Sequence, residues 1–274
     1  MTQELRLRVF NGNIVTLSKN KLIFSAIEGF PRIKEGDDLC SIIMNLLDEQ
    51  GITIEDGDIL IFAQKVISKS EGRLVNYANI KPSEQALKLE KITHKDPRFI
   101  ELVLGESKKV VRARQNTLIV EHKKGFICAN AGIDHSNIGE ETELAEEWAL
   151  LLPLDPDRSA DEIRKKLESK YQKHIGVLII DSHGRAWRNG TVGITIGLSG
   201  LPGLVDLRGK QDLVGFKLKV TTVGAADELA AGASLLMGQA AEGTPVIHVR
   251  GFPYELREAT LDELIRPEEQ DLFR

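Results

Sequence analysis

The stretch Ile175–Asp181, "IGVLIID", decides how this chain folds. Six residues without a polar side chain, five of them β-branched or leucine, read as a strand buried on both faces, and the run closes on an aspartate. Two further stretches read the same way: "GDILIFA" at 57 to 63 and "TPVIHVRG" at 244 to 251. "KLKVTTVG" at 217 to 224 is predicted as another strand, and the Ala-rich "AADELAAGASLLMG" as the helix between the last two.

Moving outward, "LRLRVFNGNIVTL" alternates around Asn11-Gly12, which tolerates the positive φ angles of a tight hairpin turn. A strand and a Gly/Pro loop follow in "LIFSAIEGFPRIKEGDD". Leu39, Ile42, Ile43, Leu46 and Leu47 then recur at helical spacing behind Asp37 and Asp38, and that helix should end near Gly51. "QKVISKSEGR" is expected to carry Lys65, Lys69 and Arg73 into a turn. Helices are predicted from Ser83 to Ile92 and from Asp96-Pro97, and "TLIVEHKKGFICAN" reads as a hairpin. "EETELAEEWA" reads as a solvated acidic helix, and Ser159 with Glu162 as a capping box for a helix lined by Ile163, Leu167 and Tyr171. Helices and strands alternate only in places, so the expected fold is α+β or mixed α/β, with mixed sheets flanked by helices.

Composition bounds the function. The 274 residues suffice for a sizeable core without disulfides. Cys40 and Cys128 stand far apart, in no C-x-x-C pair, which fits a reduced compartment and excludes a thiolate zinc site. The longest apolar stretch, Trp148 to Leu154, falls far below the roughly 20 residues of a membrane span, and the N-terminus has no signal-like apolar region. A soluble, cytoplasmic protein is expected. A net charge of -5 with 5% aromatic residues argues against a nucleic-acid partner.

Two glycine-rich stretches fail as phosphate loops. "GLVDLRGKQ" has five residues between its glycines and Gln211 where a P-loop has Ser or Thr, and "GITIGLSGLPG" lacks G-x-G. Turns and close backbone approaches explain these glycines. Asp134, in the loop "NAGIDHSN", and Asp181, at the end of its strand, are candidate Mg²⁺ ligands, because magnesium needs only one or two carboxylates besides water and phosphate. Asx-turns are the competing explanation for that loop. "DSHGRAWRNG" adds the Ser182 hydroxyl, His183, and the forks of Arg185 and Arg188, a denser polar set than a turn requires. His183 alone is read as hydrogen-bonded rather than catalytic, and Lys69 and Arg73 as a solvated face with a phosphate role open to them.

Four segments taken together, "EGFPRIKEGDDL", "AQKVISKSEGR", "NAGIDHSN" with "LLPLDPD", and "IIDSHGRAWRNGTVGITIGLSG", resemble the coenzyme F420-0:L-glutamate ligase family in the same order, from about Phe24 to Gly251. The resemblance implies a GTP- and divalent-metal-dependent enzyme that joins L-glutamate to the deazaflavin F420-0 and can add a second, γ-linked glutamate. It implies nucleotide contacts at Phe30, Pro31, Arg32 and Ile33, at Gln64, Lys65 and Lys69, and at Asn137. It implies metal ligands at Asp134, Asp181 and Ser182, for two Mg²⁺ or Mn²⁺ ions with K⁺ as a further cation. A loop after the Ala-rich helix, here Met237 to Gly243 with Gly238 and Gln239, is implied to meet both nucleotide and metal. Gln239 stands there for a carboxylate, Ser182 for a threonine and His183 for an asparagine, while "GEETELAEEWA" looks like a surface insertion.

The implied chemistry is γ-phosphoryl transfer to a carboxylate followed by attack of the glutamate amine. Lys69 and Arg185 would counter phosphate charge, with His183 one candidate base. The implied organisation is one catalytic unit over 1 to 274, in two lobes, with a hairpin extension at 1 to 22, without a fused nitroreductase-like domain, and forming an intertwined homodimer. A ligase with another carboxylate acceptor or ATP, a metal-dependent phosphohydrolase, and a nucleotide-binding protein without catalysis remain the alternatives.

Overall fold

The computed structural model describes residues 7–10, 13–16, 21–135 and 147–272. The chain opens with strands β1 (Leu7–Phe10) and β2 (Asn13–Thr16), paired antiparallel as the Asn11-Gly12 alternation predicts. Next come β3 (Ile23–Ala26), helix α1 (Leu39–Glu49), β4 (Ile59–Ala63) and α2 (Gln64–Ser70). A second stretch holds β5 (Leu74–Asn76), α3 (Glu84–Thr93), α4 (Pro97–Gly105), β6 (Ser107–Arg114), β7 (Thr117–His122), β8 (Ile127–Ala129) and β9 (Trp148–Leu150). The chain returns through α5 (Pro156–Tyr171), β10 (Gly176–Arg185), β11 (Arg188–Ser199), β12 (Val205–Asp206), β13 (Thr222–Val223), α6 (Ala225–Met237) and β14 (Val246–Arg250).

The main sheet has the order β11-β10-β4-β14-β3. Its central strand β4 is fully buried from Ile59 to Phe62, and only the β4/β10 pair is parallel, from Gly176 opposite Ile59 to Ile180 opposite Ala63. The expected mixed sheet and α+β class are what the chain adopts. A three-stranded sheet, β6-β7-β8, lies in the second stretch. Buried apolar side chains form two clusters, one around the main sheet with α1, α5 and α6, the other around α3, α4, β7 and the segment Ala131–Ile133.

Helix starts follow local chemistry. Asp38, Ser83 and Asp96 each cap a helix by accepting a backbone N–H, from Cys40, Ala86 and Arg98. Five local expectations need correction. "QKVISKS" is the helix α2, begun directly at the end of β4 without a side-chain cap, and only the residues after it turn. The cap of α5 is Asp155 with Pro156 in the first turn; Ser159 instead donates to Glu71 and to the Asp155 carbonyl. The described end of the acidic stretch begins at Glu147, which pairs with Arg98, and from Trp148 is strand β9, paired with β5; residues 140–146 lie outside the described residues. Only Thr222–Val223 of "KLKVTTVG" is a strand, because no apolar layer covers the preceding residues. Asp181 does not end its strand: β10 runs on to Arg185 as a hairpin with β11.

β11 also explains the glycines of "GITIGLSGLPG". A Cβ at Gly193 would lie 2.4 Å from the Ala230 carbonyl oxygen of α6, and one at Gly197 would lie 2.4 Å from Pro156 at the start of α5. They are close backbone approaches that let two helices pack on one strand.

Candidate functional site

The parallel pair β4/β10 places two carboxyl ends side by side, the position at which open sheets usually receive ligands. Beyond Ala63, β4 passes into α2, which brings Gln64, Lys65 and Lys69 to the opening. Beyond Ile180, β10 presents Asp181, Ser182 and His183. A register shift between Ile179 and Ile180, where Ile196 of β11 goes unpaired, falls immediately before Asp181. Such a bulge twists the strand and re-aims the following side chain.

Asp134 arrives from the other cluster. Its backbone N–H and C=O are both bonded to Leu150, at 3.0 and 2.9 Å, which pins the loop to β9. Before it, Asn130, Ala131 and Gly132 have φ of 51, 56 and 69°, three successive left-handed residues. A run of this kind is costly for residues with a Cβ and is characteristic of sites where geometry serves function. Gly132 is needed twice over, since a Cβ there would also sit 2.6 Å from Leu152 Cδ1.

These segments enclose a cavity of ≈ 670 Å³. Phe30, Pro31 and Arg32 form one wall, and Met237, Gly238, Gln239 and Gly243 of the loop after α6 form another. Asp134, Asp181 and Ser182 line it as well. Ile33 does not reach it: its side chain is buried in the main core. Arg185 does not line it either; it sits opposite Arg188 at the hairpin tip. Asn137 lies outside the described residues. Sequence reading passed over Asn130, Ser234 and Glu242, which also line the cavity. Glu242 stood in the quoted loop "MGQAAEG", and its carboxylate accepts the Ala240 N–H at 2.8 Å.

The electrostatics divide the cavity. Burial lowers the Lys69 ammonium below its usual range, and the neighbouring charges of Lys65 and Arg32 lower it further, so three cations stand close enough to repel. A phosphate group relieves such repulsion. Burial raises the Asp134 carboxyl; Lys65 opposes the shift and the charge of Asp181 reinforces it. Gln64 Nε2 donates to Asp134 Oδ2 at 2.7 Å, and Lys65 Nζ lies 3.5 Å from the same oxygen. His183 is buried, its Nε2 2.8 Å from Asp181 Oδ2 and its ring tilted against Phe126.

Two carboxylates with a hydroxyl are hard oxygen donors, suited to Mg²⁺ or Mn²⁺ rather than to zinc. Among the described residues no three His, Cys, Asp or Glu side chains cluster to cage an ion. An ion here would complete its shell with water and phosphate oxygens, as magnesium commonly does.

The sequence profile of the family described as F420-0:Gamma-glutamyl ligase matches residues 29–251. The chain is 42% identical over 250 residues to the coenzyme F420:L-glutamate ligase of Methanothermobacter thermautotrophicus, covering 90% of this chain and 97% of that protein. It is 45% identical over 221 residues to the protein of that name from Methanocaldococcus jannaschii, covering 81% and 86%. With the Archaeoglobus fulgidus protein of the same name it shares 42% over 249 residues, 90% and 94% of the two chains. With a profile match that runs from the Phe30 wall to the end of β14, and relatives aligned over nearly their whole length, this chain belongs to the F420-0:gamma-glutamyl ligase family.

Proposed function

We propose that the protein is a carbon–nitrogen ligase that joins L-glutamate to the carboxylate of coenzyme F420-0, using GTP and divalent metal ions. The observation that carries this reading is the convergence, at the carboxyl ends of β4 and β10, of two aspartates from different cores with three mutually repelling cations. An acidic half and a basic half in one cavity suit a metal-bound nucleotide phosphate chain.

A carboxylate does not form an amide directly, because oxide is too poor a leaving group. In the proposed sequence the F420-0 carboxylate oxygen attacks the γ-phosphorus of GTP, the bond to the β-phosphate oxygen breaks, and GDP leaves. The glutamate amine then attacks the acyl carbon of the acyl phosphate, inorganic phosphate departs, and the amine sheds its proton. No enzyme nucleophile enters, so the chain's task is orientation and charge neutralisation. Lys69, with Lys65 and Arg32, counters the phosphate charge. The walls at Phe30 to Arg32 and at Met237 to Gly243 hold the nucleotide. Asp134, Asp181 and Ser182, with the Gln239 carbonyl, would hold Mg²⁺ or Mn²⁺, which when bound neutralises phosphate oxygens.

The proposal extends to assembly as a homodimer. Residues 207–221 form a ribbon closed by backbone bonds such as Gly209 to Leu218 and Asp212 to Phe216, and Leu213, Val214, Phe216 and Val220 stand exposed on it. Apolar side chains so grouped suit a partner surface. No described helix is long and apolar enough to cross a membrane.

The test is mass analysis of products after incubation with F420-0, L-glutamate, Mn²⁺ and either GTP or ATP. Glutamate-sized mass increments with GTP are expected. Phosphate release without glutamate would instead make the protein a phosphohydrolase.

A further inference from the structure

We propose that Ser68 and Gln64 form a positioning chain that fixes the orientation of the Asp134 carboxylate and thereby sets how tightly the cavity takes a divalent cation. The inference rests on the metal-binding reading above and assigns a role to Ser68, which is fully buried and does not line the cavity.

Gln64 and Ser68 are four residues apart on α2, so they share one face of the helix. Gln64 is 1% exposed and Ser68 0%. The Ser68 hydroxyl donates to Gln64 Oε1 at 2.8 Å, and Gln64 Nε2 donates to Asp134 Oδ2 at 2.7 Å. A carboxamide has one donor end and one acceptor end, and only one of its two orientations satisfies both neighbours. Turned over, it would aim its oxygen at a carboxylate oxygen. With the acceptor end held by Ser68, the donor end is committed to Asp134. Both ends of the amide are thus bonded within the protein, so Gln64, which itself lines the cavity, holds the aspartate in place.

Lys65 cannot substitute for this arrangement. Its ammonium is 3.5 Å from the same oxygen, on a long flexible stem, and it competes with a cation for the carboxylate's charge. The neutral amide instead orients the carboxylate and leaves its charge for the ion. Outer partners that orient a ligand in this way are commonly worth 10- to 100-fold in metal affinity.

The experiment is Mn²⁺ binding to the intact protein without nucleotide, followed by the loss of the free-ion electron paramagnetic resonance signal. The proteins compared are wild type, Asp134→Asn, Ser68→Ala, Ser68→Thr and Gln64→Met. Ser68→Ala should bind Mn²⁺ roughly 10-fold more weakly with an unchanged circular dichroism spectrum, Gln64→Met should match it, and Ser68→Thr, which keeps the hydroxyl, should recover most of the affinity. Where Ser68→Ala fails to fold, Gln64→Met carries the comparison. Wild-type affinity in a folded Ser68→Ala or Gln64→Met variant overturns the positioning chain. If Asp134→Asn binds Mn²⁺ as wild type does, Asp134 is no ligand, and the metal-site reading fails together with this inference.

Discussion

Two aspartate–histidine pairs stand at opposite ends of one parallel strand pair. Before β4, Asp58 Oδ2 meets His248 Nε2 at 2.8 Å; past its far end, Asp181 Oδ2 meets His183 Nε2 at the same distance. The surroundings differ. Asp58 also accepts from Arg250 Nε and Nη2, at 2.9 and 2.7 Å, and from the Glu55 N–H at 2.8 Å. Burial alone would raise its carboxyl, but the Arg250 and His248 bonds outweigh that and hold it at about 2. At the other end two aspartates share a cavity, and Asp134 is shifted upward rather than downward. One end of the sheet spends its carboxylate on the fold; the other brings two carboxylates into one cavity, where Lys65 at 3.5 Å from Asp134 does not offset burial and the neighbouring Asp181 charge, a state that suits a ligand cation.

The sharpest way to break this comparison is Asp181→Ala. Ligation should fall by about 10²–10³-fold or more, the scale of removing one pre-aimed electrostatic partner, with the melting temperature nearly unchanged. Turnover like wild type in that variant would falsify the assignment of the cavity. Asp58→Asn should do the reverse, costing about 3 kcal/mol of stability by removing the buried charge that His248 and Arg250 bond, although Arg250 keeps its Glu55 partner, while the folded fraction still ligates in the cold. Urea unfolding would measure this, and a loss under about 1 kcal/mol would erase the distinction.

Acid sharpens the same contrast. Because the folded pKa of Asp58 lies below its unfolded value of 3.8, its contribution is complete above about pH 4 and is lost as pH falls through about 2. A shift of that size is worth about 2 kcal/mol, and the pH slope of stability between 2 and 4 should flatten in Asp58→Asn. Gly132→Ala should cost about 1–3 kcal/mol, from the left-handed φ and the Leu152 contact, and should weaken Mn²⁺ binding by displacing Asp134. Unaltered metal affinity there would mean that the left-handed run does not set the aspartate. The smallest effect is expected for His183→Gln, whose amide can still donate to Asp181. Activity within roughly ten-fold of wild type across pH keeps His183 a hydrogen-bond partner; a collapse at neutral and higher pH, with the acid limb of the profile lost, would make it the base.

Much of this was legible in the sequence because the signals were local. The buried runs of β4 and β10 and the caps at Asp38, Ser83 and Asp96 are where pattern reading puts them. Asp134 and Asp181 could be paired because each follows an apolar run by a short step. Close backbone approach was among the readings of the β11 glycines, but their partners, α6 at Gly193 and the start of α5 at Gly197, only the assembled fold reveals. α2 was hidden because it starts without a cap directly from a strand. The 217–221 segment misled in the opposite sense, since its alternation has no layer above it to bury. Ser68 carried no signal, because its role depends on which side-chain atom of Gln64 faces inward.

The strand order has a consequence for synthesis. Of the five strands in the main sheet β14 is the last to leave the ribosome, yet it sits between β4 and β3 and bonds to both. Until Val246–Arg250 emerges, the fully apolar β4 has an open edge and β3 has no partner in the sheet. The nascent chain therefore carries an apolar, unpaired edge from the emergence of β4 until that of β14, and a stall before Val246 leaves the cavity wall of Phe30 to Arg32 attached to a strand with nothing to pair against.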